Sequence, residues 1–326
     1  MAPNNLDEQL VKYLTDVHSI ERQALVQMRA APGLAGDERT AGILDAHRAE
    51  TEEHERRVAE LLERHGASPS KLKDLLGTLT GAGFGAFAAA APDTPGKLVA
   101  HAFAYEHMEA AAHHLLAALA ERAGEAGTAA TARGIQQQEL AMADRLAGCF
   151  DRAVDAALRD VAPEELPQQL VAYLTDAHAI EEQSVRLLDR GPDLAGVPAL
   201  ASTYAQHRAE SLEQQRLIEA ELGRREVAPS GLKDAALRLG ALNWGLFFQA
   251  QPDTPAKLAA FAYAFEHLEI AAYELLRRVA QRAGDTEVEA LAGRILGEEQ
   301  AAAEKIWNLL DEALTASLRE QGLLAA

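Results

Sequence analysis

The chain has almost no cysteine. Cys149 stands alone, so an intrachain disulfide and a thiolate-built metal cluster are both excluded. Aromatic residues make up only 5% of the sequence, which removes much of the material from which strands are built. Positive charge is scarce: 31 Lys and Arg face 50 Asp and Glu, for a net charge of -19. Nucleic-acid binding needs clustered cations to neutralise phosphate, so no such partner is expected. A membrane span is not expected either. The longest uncharged stretch, Leu75 to Ala91, with Gly77, Gly81 and Gly85 at four-residue spacing, falls short of the ~20 residues a span needs. It reads instead as a crossover helix. The N-terminus carries neither a basic region nor an apolar run, so no secretory signal is expected and the cytoplasm is the default location.

What is present is a soluble, helix-forming composition, rich in Ala, Leu, Glu and Arg, with 48% hydrophobic and 25% charged residues. It is also arranged twice. Tyr13-Leu14-Thr15-Asp16 recurs as Tyr173-Leu174-Thr175-Asp176, and Pro92-Asp93-Thr94-Pro95 recurs as Pro252-Asp253-Thr254-Pro255. The offset between copies is constant, so they align without a gap. Pro163 and Pro167 bracket a short acidic linker, which divides the chain into residues 1–162 and 163–326. The pairing suggests an intramolecular pseudo-dimer.

Each copy reads as four long helices and a shorter one. In copy one they are expected near 4–30, 38–65, 70–90, 95–123 and 128–160, broken at Pro32-Gly33, Gly66 to Pro69, Pro92 to Pro95 and Gly124 to Gly127. Thr94-Pro95 suits an N-cap followed by proline at the first helical position. No segment alternates at period two. The expected fold is therefore all-α: two tandem ferritin-like four-helix bundles, each with an extra crossover helix between helices 2 and 3.

The two copies also act as an internal comparison. Of the histidines in copy one, His18, His47 and His107 return as His178, His207 and His267. His101, His113 and His114 become Phe261, Tyr273 and Glu274. Glu21, Glu50, Glu53, Glu106, Glu109 and Glu139 return as Glu181, Glu210, Glu213, Glu266, Glu269 and Glu299.

Several of these carboxylates occupy apolar helix stripes. Residues four and seven positions away share a helical stripe. For Glu21 they are Leu14, Val17, Leu25 and Met28; for Glu139, Ala132, Ile135, Ala143 and Leu146; for Glu109, Ala102, Tyr105, His113 and Leu116. Glu50 is less clean, with Ile43 and Ala46 on one side but His54 and Arg57 on the other. Burying like charges together costs several kcal/mol per group, on the order of the penalty for unpaired buried ions. Either the groups are protonated in a polar core layer, or a cation lies between them. A pair of divalent metals satisfies four converging carboxylates economically. His47, three residues before Glu50, and Glu106, three before Glu109, lie one turn away on the same faces and add candidate ligands; His207 and Glu266 match them in copy two.

The motifs Asp16 through Glu21 to Gln23, His47-x-x-Glu50-Thr51 with His54, Glu106-His107-x-Glu109 and Glu139 with Asp144, matched in order in copy two by Asp176 through Glu181 to Gln183, His207-x-x-Glu210, Glu266-His267-x-Glu269 and Glu299 with Glu304, resemble the bacterial YciE/YciF-like family of ferritin-like stress proteins. That resemblance implies a di-iron or di-manganese site in each bundle and an association with stress responses, without an established reaction. The wider di-iron group places histidine three residues after the glutamate of helix 2; here Glu53 and Glu213 stand there, and either Glu53 or His54 is a candidate to replace the missing ligand, although His54 becomes Gln214 in copy two. The expected chemistry is reaction with O2 or peroxide, ferroxidase-like or peroxide-detoxifying. The competing expectation is a helical protein-association module with a polar core layer and no metal.

Overall fold

The computed structural model describes residues 5–68, 94–227 and 253–324. The expected crossover helices, including Leu75 to Ala91, lie outside the described residues. Every regular element described is helical. The chain divides into two compact units, Met1–Arg159 and Asp160–Ala326.

Unit one contains α1 (Leu6–Met28), the single turn α2 (Ala31–Leu34), α3 (Glu38–Arg64), α4 (Thr94–Arg122), α5 (Ala126–Ala147) and α6 (Phe150–Ala157). A 3-10 turn over Pro163–Glu165 leads into unit two, with α7 (Leu166–Leu188), α8 (Gly191–Leu194), α9 (Pro198–Arg224), α10 (Thr254–Ala283), α11 (Thr286–Asn308) and α12 (Leu310–Glu320). In unit one α1 packs on α3, α3 on α5, α5 on α4 and α4 back on α1. That closed ring of four long helices is a four-helix bundle, and α7, α9, α11 and α10 repeat it in unit two.

Local chemistry sets the ends. Asn5 accepts the Glu8 backbone N–H at 2.8 Å, and Asp37 accepts those of Arg39 and Thr40 at 3.0 Å, so α1 and α3 begin on side-chain caps. Gly36 sits at φ +73°, and a Cβ there would lie 2.8 Å from both Pro95 Cγ and Ala156 Cβ. The loop before α3 can thus close onto the start of α4 and the end of α6 only as glycine. Gly196, against Pro255 and Ala316, does the same in unit two.

The last expected helix, 128–160, is two helices. The Cys149 N–H bonds the Leu146 carbonyl at 2.8 Å, and Leu309 N–H bonds Ile306 at 3.0 Å, so a tighter i→i+3 turn interrupts each. The break swings α6 onto α4, where Phe150 meets Phe103 edge-on at 5.5 Å. In unit two Ser317 of α12 accepts the Ala256 N–H at 3.0 Å, satisfying a first-turn donor of α10.

Leu10, Leu14, Leu44, Val58, Leu61, Leu116, Leu119, Ile135 and Leu146 are all fully buried. Each contributes roughly 1.5–3 kcal/mol by leaving water. At mid-length this apolar core gives way to a belt of buried polar side chains.

Candidate metal centre

In unit one, α1 contributes Glu21 to the belt, α3 His47 and His54, α4 Glu106, Glu109 and His113, and α5 Glu139. All are buried. On α3 the inward positions run His47, Thr51, His54, Val58 and Leu61, with steps of three and four residues, so helical geometry places both imidazoles on the bundle face. His47 Nε2 lies 2.9 Å from Glu106 Oε2 and 3.6 Å from Glu139 Oε2. His54 Nδ1 lies 2.7 Å from Glu139 Oε1 and 4.0 Å from Glu21 Oε2. His113 Nε2 hydrogen-bonds Glu21 Oε1 at 2.8 Å.

Closeness here is mostly not hydrogen bonding. His54 Nδ1, Glu106 Oε2 and both oxygens of Glu139 make close ion-pair contacts but are buried without a partner of full hydrogen-bond geometry. Both Glu109 oxygens are likewise orphaned, on a side chain with no exposure. Leaving one such group unsatisfied costs about 1–3 kcal/mol.

Two overlapping sets emerge: Glu21, His113 and Glu139, and His47, Glu106 and Glu139. Within each, the donor atoms lie within 4.8 Å of one another. Metal–donor bonds of ~2.0–2.2 Å put opposed ligands of one ion ~4 Å apart, so the spacing fits. Imidazole and carboxylate donors without thiolate suit divalent first-row metal ions. Glu139 belongs to both sets, as a bridging carboxylate would.

Without a cation the belt is electrostatically costly. Burial, reinforced by Glu139, raises the Glu21 carboxyl far above the usual range, and burial does the same to Glu109. Glu106 is pushed up by burial to about 8 despite its contact with His47. His47 loses by burial but gains more from Glu106 and Glu139, and rises to about 9. Burial takes His113 down to about 4.

In unit two the corresponding belt joins His207, Glu266, Glu269 and Glu299 into one set. His207 Nε2 lies 2.7 Å from Glu266 Oε2 and 3.3 Å from Glu299 Oε2, again without hydrogen-bond geometry, and both Glu299 oxygens are orphaned. Glu181 is fully buried and accepts the hydroxyl of Tyr273.

Not every candidate joins the belt. Glu50 is half-exposed and clamped by Arg145 at 2.6 Å, which together with His47 holds its carboxyl down to about 2. It touches the site from behind, bonding His47 Nδ1 at 3.0 Å, and Glu210 stands in the same relation to His207 at 3.4 Å. Glu53 and Glu213 face outward, paired with Arg56 and Arg57 and with Arg216. Replacement of a missing ligand by Glu53 or Glu213 therefore has no geometric basis: the i+3 step from Glu50 points further from the core. His18 and His178 pair with Glu55 and Glu219 at 3.0 Å, and His107 bonds the Phe103 carbonyl. Of the two alternatives for the missing ligand, His54 is the one that lies in the belt; the residue that sequence reasoning passed over is His113, which becomes Tyr273 in copy two.

Comparison with known families places this geometry. The model of a domain of unknown function, DUF892, matches residues 5–159 and again 165–319. The chain belongs to the DUF892 family. It carries the domain twice, and each match covers one bundle with its belt. No solved structure matches the chain. No described helix of this DUF892 protein is long and apolar enough to cross a membrane.

Proposed function

We propose that this DUF892 protein is a YciE/YciF-like carboxylate metalloprotein, binding iron or manganese inside its bundles and reducing O2 or peroxide in stress protection. The observation that carries the reading is the pair of orphaned carboxylates Glu109 and Glu139, both fully buried, the second 2.7 Å from His54 Nδ1. A core layer built only for stability would pair its polar atoms or omit them.

In unit one Glu21, His113 and Glu139 would hold one ion and His47, Glu106 and Glu139 its neighbour, with Glu109 free to bind either. A pair of such ions supplies two electrons side by side, enough with two protons to reduce O2 to peroxide or peroxide to water. The protein's own contribution is positional. Glu50 fixes the His47 ring through Nδ1 and leaves Nε2 for the site, and Gln138, 3.1 Å from His54 Nε2, orients His54. The apolar walls Leu14, Val17, Ile135 and Leu146 keep bulk water out. A cleft lined by Ala24, Met28, Leu44, Leu98, Tyr105 and Glu106 offers a small uncharged oxidant a route to Glu106.

The test is elemental analysis of protein purified without added metal, together with Fe(II) titration in air followed by absorbance. Bound iron or manganese, with Fe(II) oxidation faster than in a protein-free control, is the expected result. No bound metal and no acceleration would return the belt to a purely structural role.

A further inference from the structure

The two bundles differ at the one place where their metal chemistry would differ most. Around Glu21, unit one supplies two imidazoles, His113 at 2.8 Å and His54 at 4.0 Å. The equivalent positions in unit two are Tyr273 and Gln214. Tyr273 donates its hydroxyl to Glu181, and Gln214 turns its amide to Glu298 at 3.0 Å. A further hydroxyl appears where unit one has Ala24: Ser184 donates to Glu269 Oε2 at 3.3 Å. The side of the belt around Glu181 has thus exchanged two imidazoles for a hydroxyl on Glu181 Oε1 and an amide that turns away to Glu298, while Glu181 Oε2 stays buried without a hydrogen-bond partner. On the other side His207, Glu266, Glu269 and Glu299 still converge, with Ser184 on Glu269 Oε2 and with Glu269 Oε1 and both Glu299 oxygens buried and unpartnered.

From this we infer that the two bundles are unequal metal sites: unit one holds a Glu139-bridged pair of divalent ions, and unit two holds a single ion on His207, Glu266, Glu269 and Glu299, with Tyr273 occupying the second position. The inference rests on the metal-binding reading above and adds to it a division of labour. A paired site supplies two electrons at once, whereas a lone ion supplies one. The second bundle is then suited to one-electron transfer or to holding an ion, not to matching the first.

The experiment uses the full chain, stripped with chelator and titrated with Mn(II) under anaerobic conditions. Bound manganese is counted by elemental analysis and read by electron paramagnetic resonance. The wild type is expected to bind three ions per chain, giving the exchange-coupled signal of a pair and the separate six-line signal of an isolated ion. Glu139→Gln should abolish the coupled signal and leave the isolated one. Tyr273→His combined with Gln214→His, which installs the donors unit one already accommodates, should raise the count to four and convert the isolated signal into a second coupled one. The reverse exchange, His113→Tyr with His54→Gln, should lower the count to two isolated ions. Circular dichroism melting of each variant checks that the bundles remain folded. Four ions in the wild type overturn the inference and leave metal binding intact, as does a coupled signal from unit two that Tyr273→Phe removes. A count of two in the wild type overturns it as well. No bound manganese in the wild type overturns both readings.

Discussion

His54 Nδ1 approaches Glu139 Oε1 to 2.7 Å across the α3–α5 interface, a buried ion-pair contact without full hydrogen-bond geometry. Packing in the rest of the bundle is conventional, with leucine and isoleucine layers above and below. The belt between them is where stability is given up, and its behaviour should show that.

Glu109 makes the first test. Its side chain is fully buried and neither oxygen has a donor. Glu109→Met should stabilise the metal-free protein by about 1–3 kcal/mol, because an apolar side chain of similar length replaces an unsatisfied one. The same change should shrink the rise in melting temperature produced by Mn(II). Urea unfolding with chelator and with Mn(II) measures both; a loss of stability in chelator would contradict the assignment of Glu109 as orphaned.

Stability should depend on pH in opposite senses with and without metal. Glu106 has its folded value raised from 4.5 to about 8, so in that window the folded chain keeps a proton that the unfolded chain has lost. His47, raised from 6.5 to about 9, acts alike: its stabilising contribution is complete below 6.5 and gone above about 9. The metal-free protein should therefore lose stability as pH rises from about 5 to 9. Metal binding expels those protons, so the stabilisation by Mn(II) should grow over the same range. Melting curves at several pH values, with and without chelator, compare the two slopes.

Glu50 acts through His47. Glu50→Ala removes the bond to Nδ1 and frees Arg145. The expected cost is roughly a 10–100-fold weakening of the unit-one site, typical of losing the partner that orients a ligating imidazole. Global stability should change by less than about 1 kcal/mol, since the Glu50–Arg145 pair is partly exposed. Glu50→Gln, which retains an acceptor for the imidazole, should restore most of the affinity. Equal affinity in the alanine variant would remove Glu50 from the site's support.

Gly36 tests the fold. Gly36→Ala places a Cβ against Pro95 and Ala156 at a positive φ, and should destabilise by about 1–3 kcal/mol. Gly33→Ala, which meets nothing within 4 Å, is the control and should stay within about 1 kcal/mol of wild type. Denaturant midpoints decide it.

Much of this architecture was readable in advance, for identifiable reasons. Proline and glycine punctuation marked the helix ends, and the apolar neighbours of Glu21, Glu109 and Glu139 marked these carboxylates as inward-facing. The interruption at Cys149 was not readable, because neither Gly148 nor Leu309 is a breaker strong enough to announce a single tight turn. On α3 the sequence misleads. Charged residues surround both Glu50 and Glu53, and the inward stripe is itself polar, so the hydrophobic pattern that locates the face elsewhere is weak there. Following His47, Thr51, His54, Val58 and Leu61 would have located it. Glu139 returns in copy two as Glu299, whereas His54 and His113 become Gln214 and Tyr273, so the repeat points to the carboxylate and away from the two imidazoles.

One carboxylate shared by two triads has a consequence for how ions arrive. The two Glu139 oxygens face different imidazoles, His54 and His47, from a single side chain. An ion entering either triad locks that carboxylate in place, which preforms half of the neighbouring set before its own ion comes. Filling of the first bundle should then be cooperative and nearly all-or-none, a threshold response to metal concentration, while the second bundle follows a plain hyperbola.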